Sequence, residues 1–254
     1  MCPTMRTALI TGGSKGIGRA IANNLSSDGY KIYIASRSCK ELPKNWTHIK
    51  TDFIRNDWKK SLLEIPPVHT LVNCVCPYMN VVKENPTMYT PEQIKEILLA
   101  QFEPTLFSSS HFIPHMIEKK EGRIINISSF ASRLPTPFAP AYSMSKSAIN
   151  SYSQSLFTYL RSHNIDITSF IIGLTKTKHV DKSGWNVVSA EKIAELCLRE
   201  YNKPIVIPCF MHKLHYLTYQ LKGVKRTGKE MMIMGQEICK RQEKVHQDRK
   251  INVS

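Results

Sequence analysis

The sequence predicts an α/β protein built on a doubly wound parallel β-sheet with helices on both faces. Short runs of β-branched residues alternate with longer helical stretches, which is the pattern of strand–helix–strand units. The run at 123–128 is rich in isoleucine, as expected of a central strand buried on both faces. A glycine-rich turn stands between the first strand and the first helix. At 254 residues, the chain has an ordinary length for a single α/β domain.

Strands and helices follow one another in a regular order. The predicted strands are Thr7–Thr11, Tyr30–Ala35, Thr47–Asp52, Thr70–Val75, Arg123–Ser128, Asp166–Ile172 and Ile205–Ile207. The predicted helices are Ile17–Asp28, Thr90–Ile117, Tyr142–His163 and Ala190–Tyr201. Pro104 and Pro114 are expected to interrupt the second helix, because a proline has no N–H to donate. We therefore expect one domain over residues 1–208 and a basic amphipathic helical extension over residues 209–254.

Composition favours a globular protein of a reducing compartment. Hydrophobic residues make up 42% of the chain, and no apolar run approaches the roughly 18 residues that would span a bilayer. No signal peptide is visible at the N-terminus, so we expect a cytoplasmic location. The seven cysteines form no C-x-x-C pattern. Their odd number and dispersed positions favour reduced thiols over a disulfide framework.

The chain is strongly basic, with a formal net charge of +15. Residues 211–254 contain ten Lys or Arg residues against four acidic ones. A basic surface attracts nucleic acids, anionic membranes and anionic ligands, whereas the simplest interpretation is a solvated basic face. No nucleic-acid-binding motif accompanies the charge, so we expect no specific nucleic-acid partner. Weak contact of the extension with a membrane surface remains an alternative.

The glycine turn after the first strand predicts a dinucleotide site. Gly12 permits a tight turn, Gly16 lets the backbone approach a pyrophosphate, and Gly18 allows close packing of the helix. The free N–H groups at the start of a helix that opens near Ile17 would hold the phosphates, with Ser14 in the turn itself. This position between strand and helix is typical of a Rossmann fold.

The end of the second predicted strand indicates which dinucleotide is bound. A carboxylate there would bind the ribose 2′-hydroxyl and repel a 2′-phosphate. This chain has Arg37 instead, and Lys15 lies within the glycine turn. Arginine offers a forked, charge-assisted grip on phosphate, so the sequence favours NADP(H) over NAD(H). Both cations could also be ordinary exposed bases of a basic protein.

A serine, a tyrosine and a lysine predict hydride-transfer chemistry. Lys146 follows Tyr142 by four residues, which places both side chains on one helix face. A neighbouring ammonium favours the phenolate and so lowers the pKa of the tyrosine toward neutrality. Ser129, at the end of the central strand, would hydrogen-bond the substrate oxygen and orient the substrate. The alternative is a surface tyrosine and lysine with an unrelated loop serine.

These motifs resemble those of the short-chain dehydrogenase/reductase family, over roughly residues 5–208. The resemblance implies that Tyr142 is the acid/base, that Lys146 also binds the nicotinamide ribose, and that Ser129 orients the substrate. It further implies a helix residue as a fourth catalytic member, which is Gln101 here in place of asparagine. The further cofactor contacts that it implies are Asp52, Asn73, Thr175 and Thr177. Family members are commonly dimers or tetramers, so we expect a homo-oligomer.

The chain departs from the family pattern at three places in the predicted site. Gln101 replaces the helix asparagine, Cys76 stands where a glycine is usual, and Ile172 precedes Gly173 where a proline is usual. Pro104 leaves the carbonyl of the residue four positions earlier without its helical donor. We hypothesise that this free carbonyl preserves a proton relay to Lys146 despite Gln101.

Other candidate sites are weaker. His111 and His115 share a helix face, but no third ligand is evident, so we predict a packed pair and no metal site. The thiols of Cys74 and Cys76 could be redox-active, although buried thiols are more common. The segment 210–221 mixes aromatic and aliphatic residues with histidines. A helix packed on its own domain or on a partner subunit is favoured there over a pocket cover or a membrane contact.

The sequence thus predicts an NADP(H)-dependent oxidoreductase that acts on a carbonyl compound or a secondary alcohol. The alternative is a related dinucleotide-binding protein that senses or scaffolds and turns over slowly, for which Gln101, Cys76 and Ile172 are the motivation. The loop at 178–188 is short and carries no chemistry that identifies a substrate.

Overall fold

Seven parallel strands form one sheet at the centre of the molecule. The computed structural model describes residues 5–55, 57–76, 89–134, 136, 139–176, 187–223, 226, 229–230 and 232–233. The sheet strands are β1 (Thr7–Thr11), β2 (Lys31–Ser36), β3 (Trp46–Lys50), β4 (Thr70–Asn73), β5 (Gly122–Ser129), β6 (Ile165–Ile172) and β9 (Ile205–Val206). Two short strands, β7 (Thr175–Lys176) and β8 (Val188–Ser189), pair separately. The sheet order is β3-β2-β1-β4-β5-β6-β9, so the chain starts in the middle and winds outward to each side.

Helices cover both faces of the sheet. They are α1 (Gly16–Ser27), α2 (Trp58–Leu63), α3 (Pro91–Lys119), α4 (Pro140–Arg161), α5 (Ala190–Arg199) and α6 (residues 210–223). One hydrophobic core lies between the sheet and the helices α1 and α5. A second core lies on the opposite face, beneath α2, α3 and α4. This confirms the predicted doubly wound α/β fold.

The strands bury both of their faces because apolar residues occupy successive positions. On β1, Ala8 and Ile10 belong to the core under α1, whereas Leu9 between them belongs to the core under α3. All three side chains are completely buried. Each fully buried leucine or isoleucine contributes about 1.5–3 kcal/mol to folding. These buried central strands hold the carboxyl edge of the sheet in a fixed geometry.

α3 runs without a break through both of its prolines, which corrects the predicted interruption. Its start is fixed by a capping box between Thr90 and Gln93. Pro104 cannot donate to the carbonyl four residues earlier, which costs about 3 kcal/mol in a helix interior. The helix persists because it packs against the sheet through side chains such as Phe112 and Met116, which are fully buried. Tertiary burial therefore outweighs the local preference of the two prolines.

Two elements were not predicted from the sequence. α2 is a helix of six residues that buries Trp58 and Leu62. The β7–β8 pair is two residues long on each side. Both are too short for a periodic pattern to be recognised.

α6 lies against the domain, as favoured for this segment. Its residues Tyr216 and Tyr219 pack on the cluster that contains Phe130, Leu134 and Ile171. Within the part of the chain that the structure describes, no helix is both long enough and apolar enough to cross a bilayer.

Candidate active site

A large cleft opens at the carboxyl ends of the strands, where the strand order reverses between β1 and β4. Its volume is about 1020 Å³. Ligands of open α/β sheets bind at such a switch point. The predicted site residues that line it are Gly12, Ser14, Lys15, Gly16, Ile17, Arg37, Asp52, Ser129, Tyr142, Lys146 and Thr175. Residues far apart in sequence thus meet in one cleft.

The glycine turn forms one wall of the cleft. Gly12 has a φ of +72°, and a Cβ there would lie 2.9 Å from the Cα of Val75. Only glycine accommodates both the left-handed backbone and this close approach. Its N–H donates to the carbonyl oxygen of Ala35 at 2.8 Å, which ties the turn to β2. The turn leads directly into α1, whose first free N–H groups can bind an anion.

Positive charge surrounds the end of the cleft near β2. Lys15 and Arg37 line it as predicted, and both residues are exposed. Arg19 and Lys40 also line it, and sequence reasoning missed both. The guanidinium of Arg19 lies 4.3 Å from the ring centre of Trp46 and donates to the carbonyl oxygen of Glu41 at 2.8 Å. The amphipathic pattern of α1 is the sequence feature that could have identified Arg19 as a residue of the cleft.

Asp52 stands just beyond the end of β3 and lines the same end of the cleft. Its Oδ1 accepts a hydrogen bond from the N–H of Ile54 at 3.3 Å. Thr51 and Phe53, which flank it, also line the cleft. Asp52 thus lines the same cleft as the cations, and its contact with the adenine stays a prediction.

Ser129 and Tyr142 meet in the opposite half of the cleft. Ser129 is the last residue of β5, and its side chain and that of Tyr142 on α4 both line the cleft. The Oγ of Ser129 also accepts a hydrogen bond from the N–H of Ala131 at 3.2 Å. A 3₁₀ turn at Phe130–Ser132 begins immediately after the serine. The strand end and the first turn of α4 thus fix the two hydroxyl groups together.

Lys146 lies one turn along α4 from the tyrosine and is 3% exposed. Its Nζ donates to the carbonyl oxygen of Ile127 on β5 at 3.1 Å and lies 5.7 Å from the ring centre of Tyr142. This carbonyl on β5, rather than one on α3, is the partner that the structure gives to the ammonium. The relay from α3 by way of Pro104 therefore stays a prediction.

The electrostatics of Tyr142 differ from the expectation. Burial of its hydroxyl raises the pKa above its ordinary value, and the nearby Cys76 acts in the same direction. The hydrogen bond with Ser129 opposes the rise, because it favours the phenolate. Sequence reasoning considered the ammonium of Lys146 and omitted desolvation, which is the larger effect here. Tyr142 is therefore protonated at neutral pH.

Three predicted site residues do not line the cleft. Asn73 is buried, and its side-chain amide donates to Asn126 at 2.8 Å and accepts from Ser108 at 2.7 Å, so it joins α3 to the sheet. Gln101 is completely buried within α3 and lies outside the cleft lining. Gly18 lies beneath the turn, where a Cβ would stand 2.7 Å from the carbonyl oxygen of Gly12. Thr177 lies outside the described residues.

The two cysteines after β4 both line the cleft. Burial raises the pKa of Cys74 to about 12, so this thiol is protonated and a poor nucleophile. Cys76 is exposed. Cys39, Cys74, Cys76, Cys197 and Cys209, the cysteines within the described ranges, are all free thiols.

His111 and His115 belong to the packing of α3. The ring of His111 lies 4.6 Å from that of Phe112, and His115 lies 3.7 Å from the carboxylate of Glu118. Among the residues that the structure places, three or more potential metal ligands do not cluster anywhere.

His212 reaches the cleft wall from α6. It is completely buried, and its ring contacts the backbone of Gly173 and Leu174, which line the cleft after β6. Sequence reasoning placed this residue in an extension beyond the domain. The available signal was a histidine on the face of an amphipathic helix that also carries Tyr216 and Tyr219.

Comparison with known proteins gives a consistent result. A family model described as short chain dehydrogenase matches residues 6–186. A very-long-chain 3-oxoacyl-CoA reductase of Pyricularia oryzae is 30% identical over 178 residues, which covers 63% of this chain and 53% of that protein. The chain spans about half the length of the curated relatives it matches.

Solved structures share the fold. A 3-oxoacyl (acyl-carrier-protein) reductase from Agrobacterium tumefaciens C58, with NADP bound, has a TM-score of 0.65 at 23% identity and covers 76% of this chain and 86% of its own. A 7beta-hydroxysteroid dehydrogenase has a TM-score of 0.78 at 14% identity and covers 89% of this chain and 96% of its own. At these identities the likeness extends to the fold alone.

Proposed function

Because this chain belongs to the short-chain dehydrogenase/reductase family, we propose that it is an NADP(H)-dependent oxidoreductase. The proposed reaction transfers a hydride between C4 of the nicotinamide and the carbon of a carbonyl group or secondary alcohol. The observation that carries the proposal is that Ser129, Tyr142 and Lys146 line one cleft together with the glycine turn. These groups combine a proton donor, a positioning hydroxyl and a phosphate-binding turn in one site.

The cleft has the shape and charge that a dinucleotide requires. A Cβ at Gly12 would collide with the backbone of Val75, so only glycine lets the turn pack this closely against the end of β4. The N–H groups of the turn and of Ile17 would hold the pyrophosphate, and Asp52 would contact the adenine. Thr175 and Lys146 would contact the nicotinamide end. NADP(H), when bound, supplies or accepts the hydride.

Tyr142 is proposed as the acid/base. Since burial raises its pKa, the hydroxyl carries a proton at neutral pH and can donate it to the oxygen of a carbonyl substrate. The Ser129 hydroxyl would hold that oxygen beside the tyrosine. The ammonium of Lys146, 5.7 Å from the tyrosine ring centre, would stabilise the phenolate that remains after transfer. A protonated tyrosine is the form that carbonyl reduction requires.

A preference for NADP(H) is proposed from the cations at the β2 end of the cleft. Arg37 and Lys15 stand where a 2′-phosphate would lie, and Arg19 and Lys40 line the same end. β2 itself ends in Ser36 rather than in a carboxylate, and the cations outnumber the two carboxylates, Glu41 and Asp52, that also line this end. A forked, charge-assisted contact from Arg37 is the group expected to distinguish the two cofactors.

The test is a kinetic assay with purified protein, NADPH and a panel of carbonyl compounds. The name of the curated relatives makes 3-oxoacyl thioesters the first substrates to try, with simple ketones beside them. We expect NADPH to be consumed only when a carbonyl compound is present. Binding of NADPH without consumption across the panel would contradict the proposal.

The second candidate is a dinucleotide-binding sensor or scaffold with slow turnover. The position of Gln101, buried within α3 and outside the cleft lining, favours it. This candidate predicts NADPH binding without turnover, unaffected by Tyr142→Phe. A loss of activity in that variant favours the oxidoreductase instead.

Weak contact with an anionic membrane surface is proposed for the outer face of α6. Phe210, Leu214, Leu217 and Leu221 are exposed at helical spacing on the side opposite the packed tyrosines, and Phe210 is 72% exposed. Lysines 213 and 222 lie on the same helix. Sedimentation with phosphatidylserine vesicles, lost in Leu217→Glu, is the expected result. Equal sedimentation with neutral and anionic vesicles would contradict it.

A further inference from the structure

The loop that joins β6 to β7 is held at two successive residues by one side chain of α6. The N–H of Gly173 donates to Nδ1 of His212 at 3.2 Å. Nε2 of the same ring lies 3.2 Å from the carbonyl oxygen of Leu174. Since Nδ1 accepts, the ring proton is on Nε2 and is donated to that carbonyl. Both nitrogens of a neutral imidazole therefore bind the loop.

The fit between the ring and the loop is close. A Cβ on Gly173 would lie 2.8 Å from Cδ2 of His212 and 3.0 Å from Cε2 of Phe130. The rings of His212 and Phe130 contact each other at 5.6 Å between centres. His212 is 0% exposed. Gly173 is therefore packed directly beneath the two rings, and a larger residue would displace them.

This loop is part of the cleft wall. Ile172, Gly173, Leu174 and Thr175 all line the cleft, and Ile172 pairs in register with Ser129 on the neighbouring strand. Residues 172–176 contain a glycine and no proline, so the local sequence restrains the backbone weakly. The N–H of Val188 also donates to the carbonyl oxygen of Leu174 at 3.1 Å, and the Thr175 hydroxyl donates to that of Gly173 at 3.2 Å. His212 adds two contacts from α6 at the centre of the loop.

We propose that His212 is a positioning residue that fixes the cleft-lining loop 173–175 for the nicotinamide end of the cofactor. The inference rests on the proposed cofactor, and it makes α6 a part of the binding site. His212 acts through the backbone of Gly173 and Leu174 and does not touch the reacting atoms itself. The ligand is the cofactor of the proposed function. The new inference is that α6 holds part of its binding site in place.

The test compares His212→Phe, which keeps a ring against Phe130 and removes both hydrogen bonds, with His212→Gln, whose amide can accept and donate. His215→Phe is the matched control, because His215 packs on the same Phe130 ring. Loss of two hydrogen bonds is expected to weaken NADPH binding by about tenfold in H212F, measured by cofactor fluorescence. H212Q is expected to recover most of that loss, and H215F to bind as the wild type does.

Amide hydrogen exchange of the cofactor-free protein supplies an independent readout. We expect the peptide that contains Gly173 and Leu174 to exchange faster in H212F than in the wild type. Unchanged exchange and unchanged NADPH binding in a folded H212F would overturn the inference. If H212F does not fold, hydrogen exchange of the wild type is the deciding measurement. A Gly173 amide that is unprotected in the wild type would also overturn the inference. Faster exchange in H212F, in a protein that never binds NADPH, supports the anchoring and contradicts the proposed function.

Discussion

Burial and the neighbouring hydroxyl of Ser129 shift the pKa of Tyr142 in opposite directions. Desolvation favours the neutral phenol, whereas the hydroxyl of Ser129 favours the phenolate. Tyr142 therefore keeps its proton unless a nearby positive charge stabilises the phenolate that forms when the proton leaves. The ammonium of the buried Lys146 lies 5.7 Å from the ring centre of Tyr142 and is a group of this kind. We therefore propose that serine, tyrosine and lysine act as a unit, so that removing one changes the proton affinity of another.

Replacing Tyr142 tests this unit directly. We expect Tyr142→Phe to lower kcat on the order of 10²–10⁴-fold, because the proton donor is lost. Binding of NADPH should change little, since the ring remains. Tyr152→Phe is the matched control, because Tyr152 lies on the same helix with its ring against Phe102, away from the cleft. Retention of full activity in Y142F would contradict the assignment of the acid/base.

Replacing Arg37 tests the choice of cofactor. We expect Arg37→Asp to weaken NADPH binding by roughly tenfold or more, because a charge-assisted contact is replaced by repulsion. Binding of NADH should be kept or improved. Lys31→Ala serves as the control, since Lys31 begins the same strand at its opposite end. The measurement is the ratio of the dissociation constants for NADH and NADPH. If R37D had the same ratio as the wild type, a contact between Arg37 and a 2′-phosphate would be contradicted.

Most of the site residues that the sequence patterns predicted do line the cleft. The glycine spacing around Gly12 and the four-residue interval between Tyr142 and Lys146 are local, so their geometry follows from the turn and the helix alone. Asn73 and Gln101 were misplaced because the direction of a side chain in a strand or helix depends on which neighbour packs against it. His212 was missed because its partner, Gly173, lies 39 residues away in the sequence.

At the scale of elements, burial decided the outcome wherever it conflicted with local preference. Two prolines inside α3 predict breaks, yet one continuous helix of 29 residues forms over the sheet. β1 and the start of α5 were predicted correctly, because their patterns are bounded by a glycine turn and by a serine cap at Ser189. α2 has six residues and offers no period to recognise.

The attachment of α6 to the loop after β6 should depend on pH. Burial lowers the pKa of His212 below its ordinary value of 6.5, and the hydrogen bond to Leu174 opposes the shift. The folded protein therefore favours the neutral ring, and this stabilisation is complete above pH 6.5 and falls as the pH drops toward the lowered value. His215 on α6 is the neighbouring titratable group, and Phe130 faces the ring from the 3₁₀ turn.

We expect the free energy of unfolding to decrease less between pH 7 and pH 5 in His212→Gln than in the wild type, because glutamine does not titrate. Urea denaturation at several pH values measures how the free energy of unfolding changes with pH. The variant is expected to be less stable at pH 7, where the wild-type ring is neutral and fully bonded. Parallel pH profiles for the two proteins would contradict the assigned protonation state.

At the scale of the whole molecule, exposed apolar residues on α3 and α4 are the motivation for a proposed self-association face. Leu99 and Leu106 lie two turns apart on one face of α3, and Tyr159 on α4 is 57% exposed. Exposed apolar residues in a contiguous patch commonly mark an interface. We propose a homo-oligomer formed through α3 and α4, in which these residues are covered.

The association state of the wild type and of Leu106→Glu tests this face. We expect the wild type to be a dimer or tetramer by light scattering, and the variant to be smaller, because a carboxylate in an apolar interface lacks a partner. Leu63→Glu is the control, since Leu63 is an exposed leucine of α2. A monomeric wild type, or an L106E protein of unchanged mass, would contradict the proposed face.

The order of strands in the sheet has a consequence for how the chain folds as it is synthesised. β1 is made first and lies in the middle, and each later strand up to β6 adds to an edge that earlier strands have already formed. The sheet can therefore assemble outward from β1 while translation continues. The wall of the cleft behaves differently, because its loop at 173–175 meets His212 only after α6 has emerged. A nascent chain should thus acquire its scaffold well before it acquires a finished binding site.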